Sequence, residues 1–244
     1  MQVAFAYRKI DIARLIISKG ADVHHINARG RTAAINIFGF VESDETTTCD
    51  EYLDILKGQS IIDFDAQDCE GWSCMHAAAA YGNSNDIVSL LKAGATLNLY
   101  TKRPFWMPIF YAVQFGNIST FTELRKYHPG FAIMRDVRQW TLLHIALNAK
   151  RIQMAELLIS LGADPHTTSL PTDFGVPEDL KGLAVTPGDI ARLRGPDVFS
   201  AYTEALRTAG HEFNVVNDEG DDTEDLFWPA LEAQKVLQDQ LILQ

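Results

Sequence analysis

Two histidines are the first residues whose type and spacing suggest chemistry. His76 and His144 stand two 34-residue steps apart, with Phe110 at the step between. A recurring imidazole could act as a general acid–base, and His76 with Cys69 and Cys74 could offer metal ligands. Neither reading finds its remaining parts. No carboxylate or nucleophile recurs beside the histidines, and the Cys69–Cys74–His76 spacing matches no zinc pattern and lacks a fourth ligand. There is no G-x-S-x-G, no H-E-x-x-H and no phosphate-binding glycine loop. The residues therefore point to no catalytic group, no metal site and no cofactor, with the cysteines read as buried free thiols.

The histidines sit in a repeating frame. Gly71-Trp72-Ser73-Cys74-Met75-His76-Ala77-Ala78-Ala79-Ala80-Tyr81-Gly82-Asn83 reads as a short helix and a turn, and Ile87-Val88-Ser89-Leu90-Leu91-Lys92-Ala93-Gly94-Ala95 as a second helix with a glycine stop. Trp72, Trp106 and Trp140 keep the 34-residue step, as do Gly94, His128 and Gly162. Leu15 to Asp22 echoes Leu157 to Asp164. Gly82 and Gly94 are both expected to supply a positive φ. Such a chain is a stack of supersecondary units, none able to bury its apolar face alone.

This unit resembles an ankyrin repeat, with its G-x-T-P-L-H-x-A-A-x-x-G-N, V-V-x-L-L and G-A-D segments. Tetratricopeptide arrays share the period but lack those signatures. The resemblance implies an all-α solenoid of helix-turn-helix pairs with β-hairpin or loop fingers, about six repeats long and with the first truncated. It also implies that His76 and His144 hydrogen-bond the backbone of a neighbouring loop, a structural task.

The repeats fall at about 1–27, 28–65, 68–98, 101–134, 136–166 and 183–214, giving an array over 1–214. Ala4, Phe5, Ala6, Ile10, Ile12, Ala13, Leu15, Ile16 and Ile17 are the core candidates of the first. About six extra residues within Phe40 to Cys49 read as loop growth on the surface of the second. In the fourth, Met107-Pro108-Ile109-Phe110 replaces T-P-L-H, so apolar packing must substitute for the histidine bonds. Residues 167–183 form an inserted loop rich in Pro and Gly, and Thr186-Pro187-Gly188-Asp189 opens the last repeat. Residues 215–225 read as an acidic linker, and 226–244 as a C-terminal helix that either caps the array or seeks a partner.

With a formal net charge of -11, the chain lacks the footprint of a nucleic-acid binder. No apolar run is long enough to cross a bilayer, and three unevenly spaced cysteines make no disulfide framework. A cytoplasmic protein is expected, with the nucleus as the alternative. The acceptor pattern Asn117-Ile118-Ser119 falls in a helix-turn-helix and is discounted.

What the resemblance implies for function is a protein–protein interaction module. A regulatory array of a larger, enzymatic or signalling protein is the second reading. The candidate contact residues are Trp72, Trp106 and Trp140, with Tyr100, Arg103, Phe105, Arg135, Arg138, Tyr111 and Phe115 around them. Trp, Tyr and Arg are the side chains enriched in binding hot spots. The alternative is that each Trp only covers the next repeat's loop. The expected ligand is an acidic, aromatic peptide, and the chain's own Asp218 to Trp228 would allow intramolecular docking of the C-terminal tail.

Overall fold

Short amphipathic segments, each bounded by a cap or a glycine, dictate the architecture. A computed structural model describes residues 1–38, 49–58 and 62–211 of the chain. Among these, twelve α-helices form six consecutive pairs: α1 (Gln2–Ala6) with α2 (Ile10–Ser18), α3 (Ala33–Asn36) with α4 (Asp50–Lys57), and α5 (Cys74–Tyr81) with α6 (Ser84–Ala93). Then follow α7 (Pro108–Phe115) with α8 (Ile118–Leu124), α9 (Leu142–Asn148) with α10 (Ile152–Ser160), and α11 (Pro187–Leu193) with α12 (Pro196–Thr208). First helices stack on one another as an inner row, second helices as an outer row, and the core runs between them. The fingers joining successive pairs are turns. An isolated bridge, Arg135 to Thr141, is their one strand-like contact among the described residues.

The caps explain where each helix begins. Thr32, Asn83, Asn117 and Thr186 accept from backbone N–H groups of their own first turns, and Pro108 and Pro187 sit at the tolerated first positions. Gly94 closes α6 with φ 98°, as its place after the helix requires. Gly82 does not follow the expectation of a positive φ. Its φ is -87°, and what excludes a side chain is space: a Cβ there would lie 2.7 Å from the Ala78 carbonyl and 3.0 Å from the Asp86 carboxylate.

Two other expectations need correction. In the first pair Ala4, Phe5, Ala6 and Ala13 are buried, but Ile12 and Leu15 lie about half exposed on the outer face of α2. Cys49, read as the end of a surface loop, is fully buried and donates its N–H to Asp86 Oδ1 at 2.8 Å. Its thiol, like that of Cys74, is held well above the usual range by desolvation. The rest of the Phe40–Cys49 stretch and the segments 215–225 and 226–244 lie outside the described residues.

Junctions between repeats are not equal. Fingertips are laced together by single backbone bonds, from Cys69 to Arg29, Lys102 to Glu70 and Leu170 to Arg138. Among the described residues no such bond joins the finger at 101–106 to that at 136–140. The outer row is also thinnest there, because seven-residue α8 barely meets α10.

Candidate functional site

Each finger is built on one acceptor at its base. Asp68 Oδ1 takes the N–H groups of Glu70 and Trp72, both at 2.9 Å, across a turn with Gly71 at φ 86°. Asn27 does the same for Arg29 and Arg31, and Asp136 Oδ1 for Arg138 and Trp140 at 2.8 and 3.0 Å. In the fourth repeat Thr101 Oγ1 takes the Trp106 N–H at 3.1 Å across a finger one residue longer. The base residue therefore decides where each tryptophan enters the array.

The two histidines anchor the helices that follow. His76 Nδ1 accepts the Ser73 N–H at 3.1 Å, leaving Nε2–H to donate to the Trp106 carbonyl, also at 3.1 Å. His144 repeats this with Thr141 at 3.2 Å and the Val185 carbonyl at 3.1 Å. Both rings are wholly buried, and burial pushes each pKa down to about 4. They are neutral struts between repeats, without access to a substrate. Phe110, at the same register, instead stacks on Trp106 at 5.8 Å.

Other groups singled out by type are engaged in the fold. The Cys74 thiol donates to the Phe64 carbonyl, and Cys69 is exposed on a finger. Among the described residues no three His, Cys, Asp or Glu side chains are placed to hold a metal ion. Asn117 caps α8 and donates from Nδ2 to the Gly82 carbonyl at 2.7 Å.

The tryptophans do not stack on one another. Trp72 meets Tyr111 at 4.4 Å, Tyr111 meets Trp106 at 5.3 Å, and the Arg138 guanidinium lies 5.5 Å from Trp106 and 4.1 Å over Trp140. Tyr81 and Phe115 extend the row, 4.9 Å from each other and 6.4 Å each from Trp72. The result is a continuous aromatic row across three repeats.

The row floors a groove of about 490 Å³ between first helices, fingers and the inserted loop, lined by Trp72, Trp106, Trp140, Tyr111, Phe115 and Arg138 with Pro104, Gln114, Asn148, Gly175, Val176 and Pro177. Six of the ten residues picked from the sequence thus converge. Tyr100, Phe105 and Arg135 are exposed on the fingers outside its lining, and Arg103 lies over Phe174, 5.7 Å from the ring centroid. Within the groove the open aromatic surface belongs to Trp72 and Phe115, and Tyr81 is exposed beside them. Trp140 is 1% exposed and Trp106 and Tyr111 each 6%, so these three shape the floor more than they present it.

Arg138, a candidate contact residue, is buried. It donates to Asp136 Oδ2 from Nε at 2.8 Å and from Nη2 at 2.5 Å, and from Nη1 to the Gly175 carbonyl at 2.5 Å. That last bond straps the inserted loop against the groove, where Arg194 also grips Asp179 at 2.5 Å and Asn148 at 2.9 and 3.0 Å. The insertion, read as a plain extended loop, is a wall of the site with Leu180 buried behind it. The available signal was its place directly after the Trp140 repeat.

A stack of helix pairs joined by such fingers defines a repeat solenoid. Residues 75–169, from α5 through the pair α9–α10, match the family model described as ankyrin repeats, in three copies. The fold of the described residues is that of an all-α ankyrin solenoid, and the pairs on either side of the matched residues continue the same stacking. Ankyrin repeats are generally protein–protein interaction modules. No curated protein matches the chain.

Proposed function

We propose that this array binds a partner protein in the aromatic groove and along the adjoining fingers, as a scaffold and without catalysing a reaction. The observation that supports this reading is the aromatic row across three repeats, open to solvent at Trp72, Phe115 and Tyr81. Aromatic rings on a rigid frame lose little conformational freedom on binding, which is why they dominate interaction hot spots. Arg103 and Arg135 on neighbouring fingers add cationic contacts. Cytoplasmic residence goes with this reading, since the exposed Cys69 thiol is unpaired. In the second reading the same groove is the regulatory surface of a larger protein.

Trp106 is a poor probe because its indole is buried and bonded to Asp136. The test is therefore Trp72→Ala with Phe115→Ala in the full chain, judged on proteins captured by the wild type. Those proteins should be lost from the folded double variant and retained by Val3→Ser on the distant α1. Equal capture by all three would defeat the proposal.

A further inference from the structure

The cations beside the groove are not all neutralised. The nearby carboxylates Asp136 and Asp179 are each held by an arginine, whereas Arg103 and Arg151 form no ion pair among the described residues. Arg103 adjoins Pro104 in one wall, and Arg151 bonds the carbonyl of Gln114 in the other. Arg151 packs against Gly116, next to the open ring of Phe115, and Trp72 is the second open aromatic. An occupant should therefore carry both acids and large apolar rings.

The chain contains such a segment. After His211 come nine carboxylates and one lysine, whereas residues 1–211 carry 23 acidic against 20 basic side chains. Six of the nine fall in Asp218 to Asp225, and Leu226-Phe227-Trp228-Pro229 follows directly. Length suffices: the 17 residues from His211 to Trp228 can span about 55 Å. Three repeats at roughly 10 Å per helix layer need only about 30 Å.

We propose that residues 218–229 of this chain occupy the groove intramolecularly and compete with its partner. The proposal rests on the groove being a peptide-binding surface, and it assigns that surface both a ligand chemistry and an internal competitor.

The test uses the full chain with a photo-crosslinking benzoylphenylalanine in place of Trp228. Irradiation should give adducts at the monomer mass on peptides containing Trp72 or Phe115. Their yield should fall at least five-fold in about 0.5 M salt, where the screening length is roughly 4 Å, and likewise in Arg103→Glu with Arg151→Glu. Adducts confined to the tail or to other repeats, or adducts between two chains, would overturn it. If the groove misses Trp228 while partner capture still depends on Trp72, this inference alone fails. If neither depends on Trp72, the binding role of the groove fails with it.

Discussion

Trp106 donates its indole N–H to Asp136 Oδ2 at 3.0 Å, across the one finger junction where no backbone bond is made among the described residues. Asp136 accepts five hydrogen bonds in all, two on Oδ1 from finger N–H groups and three on Oδ2 from Trp106 and Arg138. One buried carboxylate thus shapes its own finger, neutralises Arg138 and joins two repeats.

Removing parts of this hub should give graded losses. Trp106→Phe keeps an aromatic ring and deletes one bond to a charged acceptor, so about 1.5–3 kcal/mol of stability should go. Asp136→Asn strands Arg138 in the interior, where breaking a buried pair costs about 3–5 kcal/mol. Urea unfolding should rank Asp136→Asn below Trp106→Phe, and the reverse order would discount the hub.

Acid should weaken the array through its two buried histidines. His76 and His144 have folded pKa values near 4 against an ordinary 6.5. The unfolded chain therefore takes up protons first as pH falls below 6.5, and stability is lost progressively between 6.5 and 4. Above 6.5 these rings impose no pH dependence. The full loss is about 3 kcal/mol per ring. His144→Gln should roughly halve the slope of unfolding free energy between pH 6.5 and 5, and an unchanged slope would reject the assignment.

Gly82 and Gly94 should fail differently when substituted. At Gly94 the φ of 98° is the constraint and no atom lies within 4 Å, so Asn, which tolerates the left-handed region, should be milder than Ala. At Gly82 the backbone is ordinary and the Ala78 carbonyl is in the way, so Ala should cost about 1–3 kcal/mol and Asn at least as much. Thermal melts of the four variants distinguish the two causes.

Arg8 and Asp86 form a buried pair at 3.6 Å that is unequal in its other bonds. Asp86 also accepts the N–H groups of Cys49 and Asn83, at 2.8 and 3.0 Å, while Arg8 Nε and Nη2 have no hydrogen-bond partner among the described residues. Arg8→Met should therefore cost less than Asp86→Ala, because the carboxylate it leaves behind keeps two backbone N–H donors. Asp86→Ala should cost about 3 kcal/mol or more, through three stranded groups. Calorimetry on the two variants checks the asymmetry.

What the sequence disclosed was whatever recurs locally. The 34-residue step, Pro108, Gly94 and the histidine register all keep a fixed place in the repeat frame, and each stands where its spacing implied. The site was harder to read because its contacts are between repeats and aperiodic. An arginine on a polar finger looks solvated, and nothing local shows Arg138 lying between Trp106, Trp140 and the inserted loop. Likewise Gly82 looked like a torsional requirement, when the obstacle is a carboxylate and a carbonyl brought close by packing.

A solenoid unfolds as a row of units coupled only to their nearest neighbours. The thin contact of α8 with α10 and the missing fingertip bond weaken the coupling between repeats four and five. Cooperativity is expected to fail at that joint. Under denaturant, repeats one to four and repeats five to six would melt as two blocks, and Trp106–Asp136 would set how far apart their midpoints fall.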